Sequence, residues 1–179
     1  FDITPSGFTP GRESAIYGIG YGIGDYGEQV YGVARTGGGN VAEAATWMFD
    51  NWGQNLIACA PHEGKIYEWS LNTANDAVAV ANAPTDCRGV IVTPERYLVA
   101  LGAGGNPRKV QWSNQEDNTV WTPTATNTAG DVELQTNGTI RVARRVRGQI
   151  LILTDLDAHT MSYLGPPFIY GFERVGNFC

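Results

Sequence analysis

Apolar residues in this chain fall in short runs separated by breaks rich in Gly, Asn and Asp, and the runs come in pairs. The first pair is Asn55-Leu-Ile-Ala-Cys59 and Lys65-Ile-Tyr-Glu-Trp-Ser70, split around Glu63-Gly64. The second is Arg96-Tyr-Leu-Val-Ala-Leu101 and Arg108-Lys-Val-Gln-Trp-Ser113, split by Gly102 to Pro107. The third is Gln149-Ile-Leu-Ile-Leu153 and His159-Thr-Met-Ser-Tyr-Leu164, split by Asp155 to Ala158. Short apolar runs bounded by turn formers predict strands, and paired runs predict hairpins. Trp69-Ser70 and Trp112-Ser113 stand 43 residues apart, and Met161-Ser162 follows 49 later. A period in the forties with a hairpin inside each unit predicts propeller blades. The expected fold is therefore all-β, a partial β-propeller of about three antiparallel blades over residues 47–179.

Smaller signals fill in the connections. Val41 to Phe49 suits a short helix, or from Thr46 an entry into the first blade. Residues 81–86 read as a connector, with Asn82, Pro84 and Asp86 as its breakers. Gly89-Val-Ile-Val-Thr93 reads as a strand and Thr93-Pro-Glu95 as a tight turn. Asp117 to Gly130, which holds Trp121 and Pro123, reads as a long loop between blades. Asn137-Gly138 has the chemistry of a type I′ hairpin turn between Val132-Glu-Leu134 and Ile140-Arg-Val142. Trp69 and Trp112 occupy equivalent repeat positions, which predicts core packing for both. That leaves Trp121 as the candidate exposed anchor.

Residues 1–46 have a different texture. Tyr17-Gly18, Tyr21-Gly22, Tyr26-Gly27 and Tyr31-Gly32 form a series stepping by four or five residues. Glycine at this density disfavours a helix. An extended Gly/Tyr-rich arm is expected. Its tyrosines offer stiff contact area, and its glycines allow close backbone approach. Tyr17, Tyr21, Tyr26 and Tyr31 are thus interface candidates, and a low-complexity linker is the competing reading.

Composition narrows the function classes. Of 179 residues, 42% are hydrophobic and 17% charged, a globular balance. The net charge of −6 disfavours sequence-independent nucleic-acid binding by the whole chain, which needs a basic face. No apolar run is long enough for a membrane-spanning helix. The odd cysteine count (Cys59, Cys87, Cys179) gives no disulfide framework, and Cys59 reads as a small buried hydrophobe in a reducing compartment. Three blades do not close a ring, since propellers have about four to eight. The blades are expected to be truncated at the C-terminal end, or to leave an edge for a partner.

Candidate chemistry is sparse. His62 and His159 are the two histidines, both expected in exposed turns. No zinc-protease, paired-cysteine, phosphate-loop or nucleophile-elbow motif occurs. Gly102-Ala-Gly-Gly-Asn-Pro107 lacks the Lys-Ser/Thr of a phosphate cradle and reads as a turn. Asp155 and Asp157 supply too few ligands for calcium. No catalytic residue, metal or cofactor is expected. The basic cluster lies in Thr139-Ile-Arg-Val-Ala-Arg-Arg-Val-Arg147. Alternation puts Arg141, Arg145 and Arg147 on one face, with Ile140, Val142 and Val146 on the other, broken by Arg144. These arginines either face an acidic or phosphate-bearing neighbour or form ion pairs between blades with residues such as Asp131, Glu133 and Asp155. Ion pairing is the favoured reading.

Three stretches carry a resemblance: Thr93-Pro-Glu-Arg-Tyr-Leu-Val-Ala-Leu-Gly-Ala-Gly-Gly-Asn-Pro-Arg-Lys-Val-Gln-Trp-Ser113, Trp121-Thr-Pro-Thr-Ala-Thr-Asn-Thr-Ala-Gly130 and Phe168-Ile-Tyr-Gly-Phe-Glu-Arg-Val-Gly176. Together, over roughly residues 47 to 176, the chain resembles the propeller-type structural proteins of tailed phages and prophages. These are the head-to-tail connector, tail-nozzle and packaged-DNA-stabilising proteins. The resemblance implies a non-enzymatic virion component made in the bacterial cytoplasm. Its partners would be other copies of itself, other virion proteins and DNA in a conduit. The alternative is a carbohydrate-binding, receptor-binding propeller with Trp121 as its sugar-stacking residue. A glycosidase propeller comes third, because no carboxylate pair stands out.

Overall fold

A computed structural model of the chain describes residues 46–177. The expected arm, with Tyr17, Tyr21, Tyr26 and Tyr31, lies outside the described residues apart from its last position. Twelve strands and no α-helix occur among the described residues. They build three antiparallel four-stranded sheets, each taken in chain order. The first sheet is β1 (Met48–Trp52), β2 (Asn55–Ala60), β3 (Lys65–Trp69) and β4 (Val78–Ala79). The second is β5 (Gly89–Val92), β6 (Leu98–Leu101), β7 (Lys109–Trp112) and β8 (Gly130–Glu133). The third is β9 (Ile140–Val146), β10 (Gln149–Thr154), β11 (Asp157–Tyr163) and β12 (Tyr170–Asn177). The paired apolar runs of the sequence are the central hairpins β2–β3, β6–β7 and β10–β11. The all-β expectation holds at this level, and none of the three sheets closes on itself.

Two cores join the three sheets. Trp52, Ile57, Cys59 and Ile66 of the first sheet pack with Val90, Val92, Leu98 and Ala100 of the second. Ile91, Val99, Leu101, Val110 and Trp112 of the second pack with Ile140, Ala143, Ile150, Ile152 and Met161 of the third. Every residue of β5 and β6 is buried, so these strands read as continuous apolar runs. The flanking sheets alternate instead, as one-sided sheets do: β10 buries Ile150, Ile152 and Thr154 but not Leu151 or Leu153.

The register corrects the repeat. Val99 lies opposite Trp112, and Leu56 lies opposite Trp69. Val99 faces the third sheet, whereas Leu56 lies on the face of β2 turned away from the second. Trp112 is therefore core, but Trp69 is half-buried on the outward face of the first sheet. One residue of difference between the hairpins flips the side chain to the other face.

Three connections also differ from expectation. The loop from Asp117 to Gly130 joins β7 to β8 inside the second sheet rather than linking two sheets. Asn137-Gly138 is not a hairpin turn, because β8 and β9 belong to different sheets and neither residue has a positive φ. Gly138 is instead a site of close approach, where a Cβ would lie 2.4 Å from Thr154 Oγ1. In β9 the pairing slips between Val142 and Ile140, leaving Arg141 bulged. The bulge puts Ile140 on the inward face with Ala143 and Arg145, while Val142, Arg144 and Val146 face outward.

Candidate functional site

Among the described residues, each flanking sheet has one broad face on which no other sheet packs. On the first sheet this face carries Trp47, Phe49, Leu56, Ala58, Tyr67 and Trp69, which line a groove of about 680 Å³. Phe49 is 60% exposed and Trp47 44%. The two rings stack with centroids 6.1 Å apart, and Tyr67 closes the cluster at 6.3 Å from Trp47. The Tyr67 hydroxyl donates to Glu63 at 2.6 Å. Glu63 and Asp76 border the groove, and among the described residues no basic side chain lines it. The outward face of the third sheet is mixed, with Gln149, Thr160, Ser162 and Glu173 among its apolar side chains. It presents Val142, Val146, Leu151 and Leu153, with the exposed Arg144 opposite Leu151. A second groove, of about 670 Å³, has a mixed polar and apolar lining and lies beside β3 and β4. There the Glu68 carboxylate accepts from Asn55 at 2.6 Å and from Asn118 at 2.7 Å.

The leading strands of the three sheets meet at one polar junction. Asp50 of β1 accepts the Val92 N–H of β5 at 2.7 Å. Arg145 of β9 donates through Nε to the Val92 carbonyl at 2.7 Å and pairs through its other end with the same Asp50 oxygen. Each polar group of the Val92 peptide is thus answered by a charged side chain, the stronger kind of hydrogen bond. Asp50 carries no motif in the sequence. Its only signal is its place between Phe49 and Asn51 in an alternating strand.

The three candidate arginines do not act together. Arg145 belongs to this junction, and Arg141 pairs with Asp155 at 3.3 Å at the surface. Arg147 sits exposed in the β9–β10 turn with a φ of 49°. Ion pairing accounts for two of the three, but only Arg145 spans sheets, and its partner is Asp50. Asp131 and Glu133 pair with Lys109 and Arg108 instead.

Trp121 is not exposed. It is 3% accessible, packs in the first core, and donates from Nε1 to the Asn118 carbonyl at 2.7 Å. The loop that carries it folds inward because Asn114 Oδ1 accepts both the backbone and hydroxyl of Thr128. A sugar cannot stack on a face that the core covers.

His62 lies in a turn as expected, 44% exposed. His159 does not; it is 3% accessible within β11. The turn before it spans only Asp155 and Leu156, so Asp157, His159 and Met161 alternate inward together. Asp157 Oδ1 accepts from Thr154 at 2.6 Å and lies 3.1 Å from His159 Nε2, which also meets Thr136 at 3.2 Å. Arg174 Nε stands 3.0 Å from Asp157 Oδ2, but off the line of a hydrogen bond. Burial pushes the Asp157 carboxyl up, and the Thr154 and Thr136 hydroxyls with His159 outweigh it, holding the group below the usual carboxylate range. The network braces the β10–β11 turn through Thr154, and Asp157 Oδ2 is its buried oxygen without a hydrogen-bond partner.

Cys59 and Cys87 are buried and unpaired. Burial pushes the Cys59 thiol up to about 11. Burial, with the neighbouring Cys59 and Asp86, pushes Cys87 up to about 12. Neither supplies thiolate at neutral pH, so neither is a ready nucleophile. Among the described residues no group of three or more His, Cys, Asp or Glu side chains is placed to hold a metal ion. No helix among them is long and apolar enough to cross a membrane. Among the described residues, the aromatic face of the first sheet is a broad feature left to carry function. No protein-family model matches the chain, and no curated protein is significantly similar to it.

Proposed function

We propose that this chain is a structural component of a tailed-phage or prophage virion, placed in the tail or connector region around the DNA conduit, and that its sheets are propeller blades. It works by contact and performs no catalysis. The observation that carries the assembly reading is the aromatic face of the first sheet, which the other described residues leave open. Exposed apolar patches of that kind mark interaction surfaces. The phage assignment rests on the sequence resemblance over residues 47 to 176. A net charge of −6 suits a wall past which DNA slides more than a surface that grips it. Particles purified from a producing strain, labelled with antibody to this chain, provide the test. Electron microscopy should place the label in a symmetric ring at the tail or connector, and unlabelled particles would defeat the assignment.

The carbohydrate-binding reading loses Trp121 but retains one observation, the aromatic groove with Glu63, Asn75 and Asp76 beside it. Glycan-array binding that is lost on Trp47→Ala would move the weight to it.

A further inference from the structure

We propose that the groove on the outward face of the first sheet binds an arginine side chain presented by a partner protein, its guanidinium stacked among the aromatic rings beside the Glu63 carboxylate. The proposal gives the partner of the assembly reading its chemistry and rests on that reading's premise that this face is a contact surface. It uses the first sheet alone and does not depend on how many sheets the chain has.

The strand register builds the groove around one small residue. Phe49 of β1 lies opposite Ala58 of β2, and Ala58 lies opposite Tyr67 of β3, so two rings flank a methyl group in one row. Trp47, two residues before Phe49, bounds one end, with its centroid 6.1 Å from Phe49 and 6.3 Å from Tyr67. Trp69, two residues beyond Tyr67 and opposite Leu56, bounds the other. Its Nε1 donates to the Asn72 and Asn75 carbonyls at 3.2 and 3.0 Å, which ties the loop that leads to Asp76 to this end of the groove. β1 and β3 stand two strand spacings apart, about 9–10 Å. A cation seated over Ala58 would therefore lie about 5 Å from a ring rising on either side, inside the ~6 Å reach of a cation–π contact.

The charges around the rings select a cation. Glu63 and Asp76 border the groove, and among the described residues no basic side chain lines it; Lys65 shares the strand face with Tyr67 but lies outside the lining. Glu63 Oε2 accepts from Tyr67 at 2.6 Å. Glu63 Oε1 stands 3.8 Å from His62 Nε2, beyond hydrogen-bond length, so it can take an incoming N–H. Arginine suits this arrangement better than lysine, because a planar guanidinium stacks on a ring and still reaches a carboxylate with its N–H groups. The chain makes the same contact within itself: Arg96 lies 4.9 Å over the Trp52 ring and pairs with Glu116 at 3.2 Å.

The test titrates the full chain, with residues 1–45 present, with the peptide acetyl-Gly-Arg-Gly-amide and with its citrulline counterpart, which keeps the shape and loses the charge. One anchored side chain binds in about the millimolar range, so the readout is the shift of the tryptophan indole N–H signals in nuclear magnetic resonance. The Trp47 and Trp69 signals, assigned by substitution, should move, and that of the buried Trp121 should stay. The citrulline peptide should bind about tenfold more weakly. Trp47→Leu, which keeps apolar bulk without the large π face, should raise the dissociation constant for the arginine peptide about fivefold. Glu63→Gln should raise it about threefold. Circular dichroism checks that each variant keeps its strands; where one does not, the arginine–citrulline comparison on the unaltered chain decides. An arginine peptide that does not bind overturns the proposal. So does equal binding of the two peptides, or arginine binding that leaves the Trp47 and Trp69 signals in place. Peptide binding decides the ligand of this groove, whereas labelling of particles decides the virion assignment, so the two fail separately.

Discussion

The middle sheet and the two sheets that flank it share one topology and differ in what covers them. β5 and β6 are buried on both faces, and their side chains are Val, Ile, Leu and Ala in either direction. β1 and β10 are buried on one face only, and their patterns alternate. The same meander can therefore serve as an interior layer or as a surface layer. The sequence of its outward-facing positions decides which. What is unusual is that apolar side chains stand among the polar ones at outward positions of the flanking sheets. Phe49, Trp69, Leu151 and Leu153 stand where a solvent-facing sheet would carry Lys, Glu or Thr.

The sharpest way to break this contrast is to delete equivalent bulk from each layer. Leu98→Ala in the middle sheet removes a side chain with no exposed surface and leaves a cavity between two packed layers. It should cost about 3 kcal/mol in urea denaturation, within the range for buried Leu→Ala changes. Asp50→Ala comes next. It strands the Val92 N–H and the Arg145 guanidinium at the place where the sheets meet. A loss of about 1–2 kcal/mol is expected, discounted because Arg145 is half exposed. Phe49→Ala, on the uncovered face, should cost the isolated chain less than about 1 kcal/mol. If Phe49→Ala proves as damaging as Leu98→Ala, the outward face is already covered within one copy. The smallest effect is on pH. The Asp157 carboxyl is held below its usual range, so its stabilisation is present above the unfolded value of about 3.9 and is lost as pH falls through the lower folded value. Asp157→Asn should flatten the acid limb of the melting-temperature profile below about pH 4, and shift it by a constant amount at neutral pH.

The central hairpins were legible because β2, β6 and β10 are apolar runs bounded by turn formers. The edge strands were not. β4 is two exposed residues, and β12 is mostly exposed, so neither leaves an apolar trace. Trp69 and Trp112 misled because a sequence period records spacing but not parity, and a strand pair shifted by one residue presents the opposite face. Asn137-Gly138 misled because close packing on Thr154 demands glycine there as firmly as a tight turn would. His159 read as exposed because polar residues on an inward face look like a turn until their partners are known. Of the candidate site, only Arg145 was anticipated. Its partner Asp50 and the aromatic face lie far off in the chain, joined by packing that local pattern does not encode.

The junction of Asp50, Val92 and Arg145 has a consequence in time. Asp50 and Arg145 are 95 residues apart, so their contact closes a loop that contains the whole second sheet. Closing so long a loop is entropically unfavourable until the intervening strands have already drawn the ends together. The junction is therefore expected to form after the folding barrier, as a latch on sheets already in place. Asp50→Asn should speed unfolding by most of its equilibrium effect and leave the refolding rate nearly unchanged. In stopped-flow measurements only the high-denaturant arm would move. The latch would then slow the parting of sheets that the two cores already hold together.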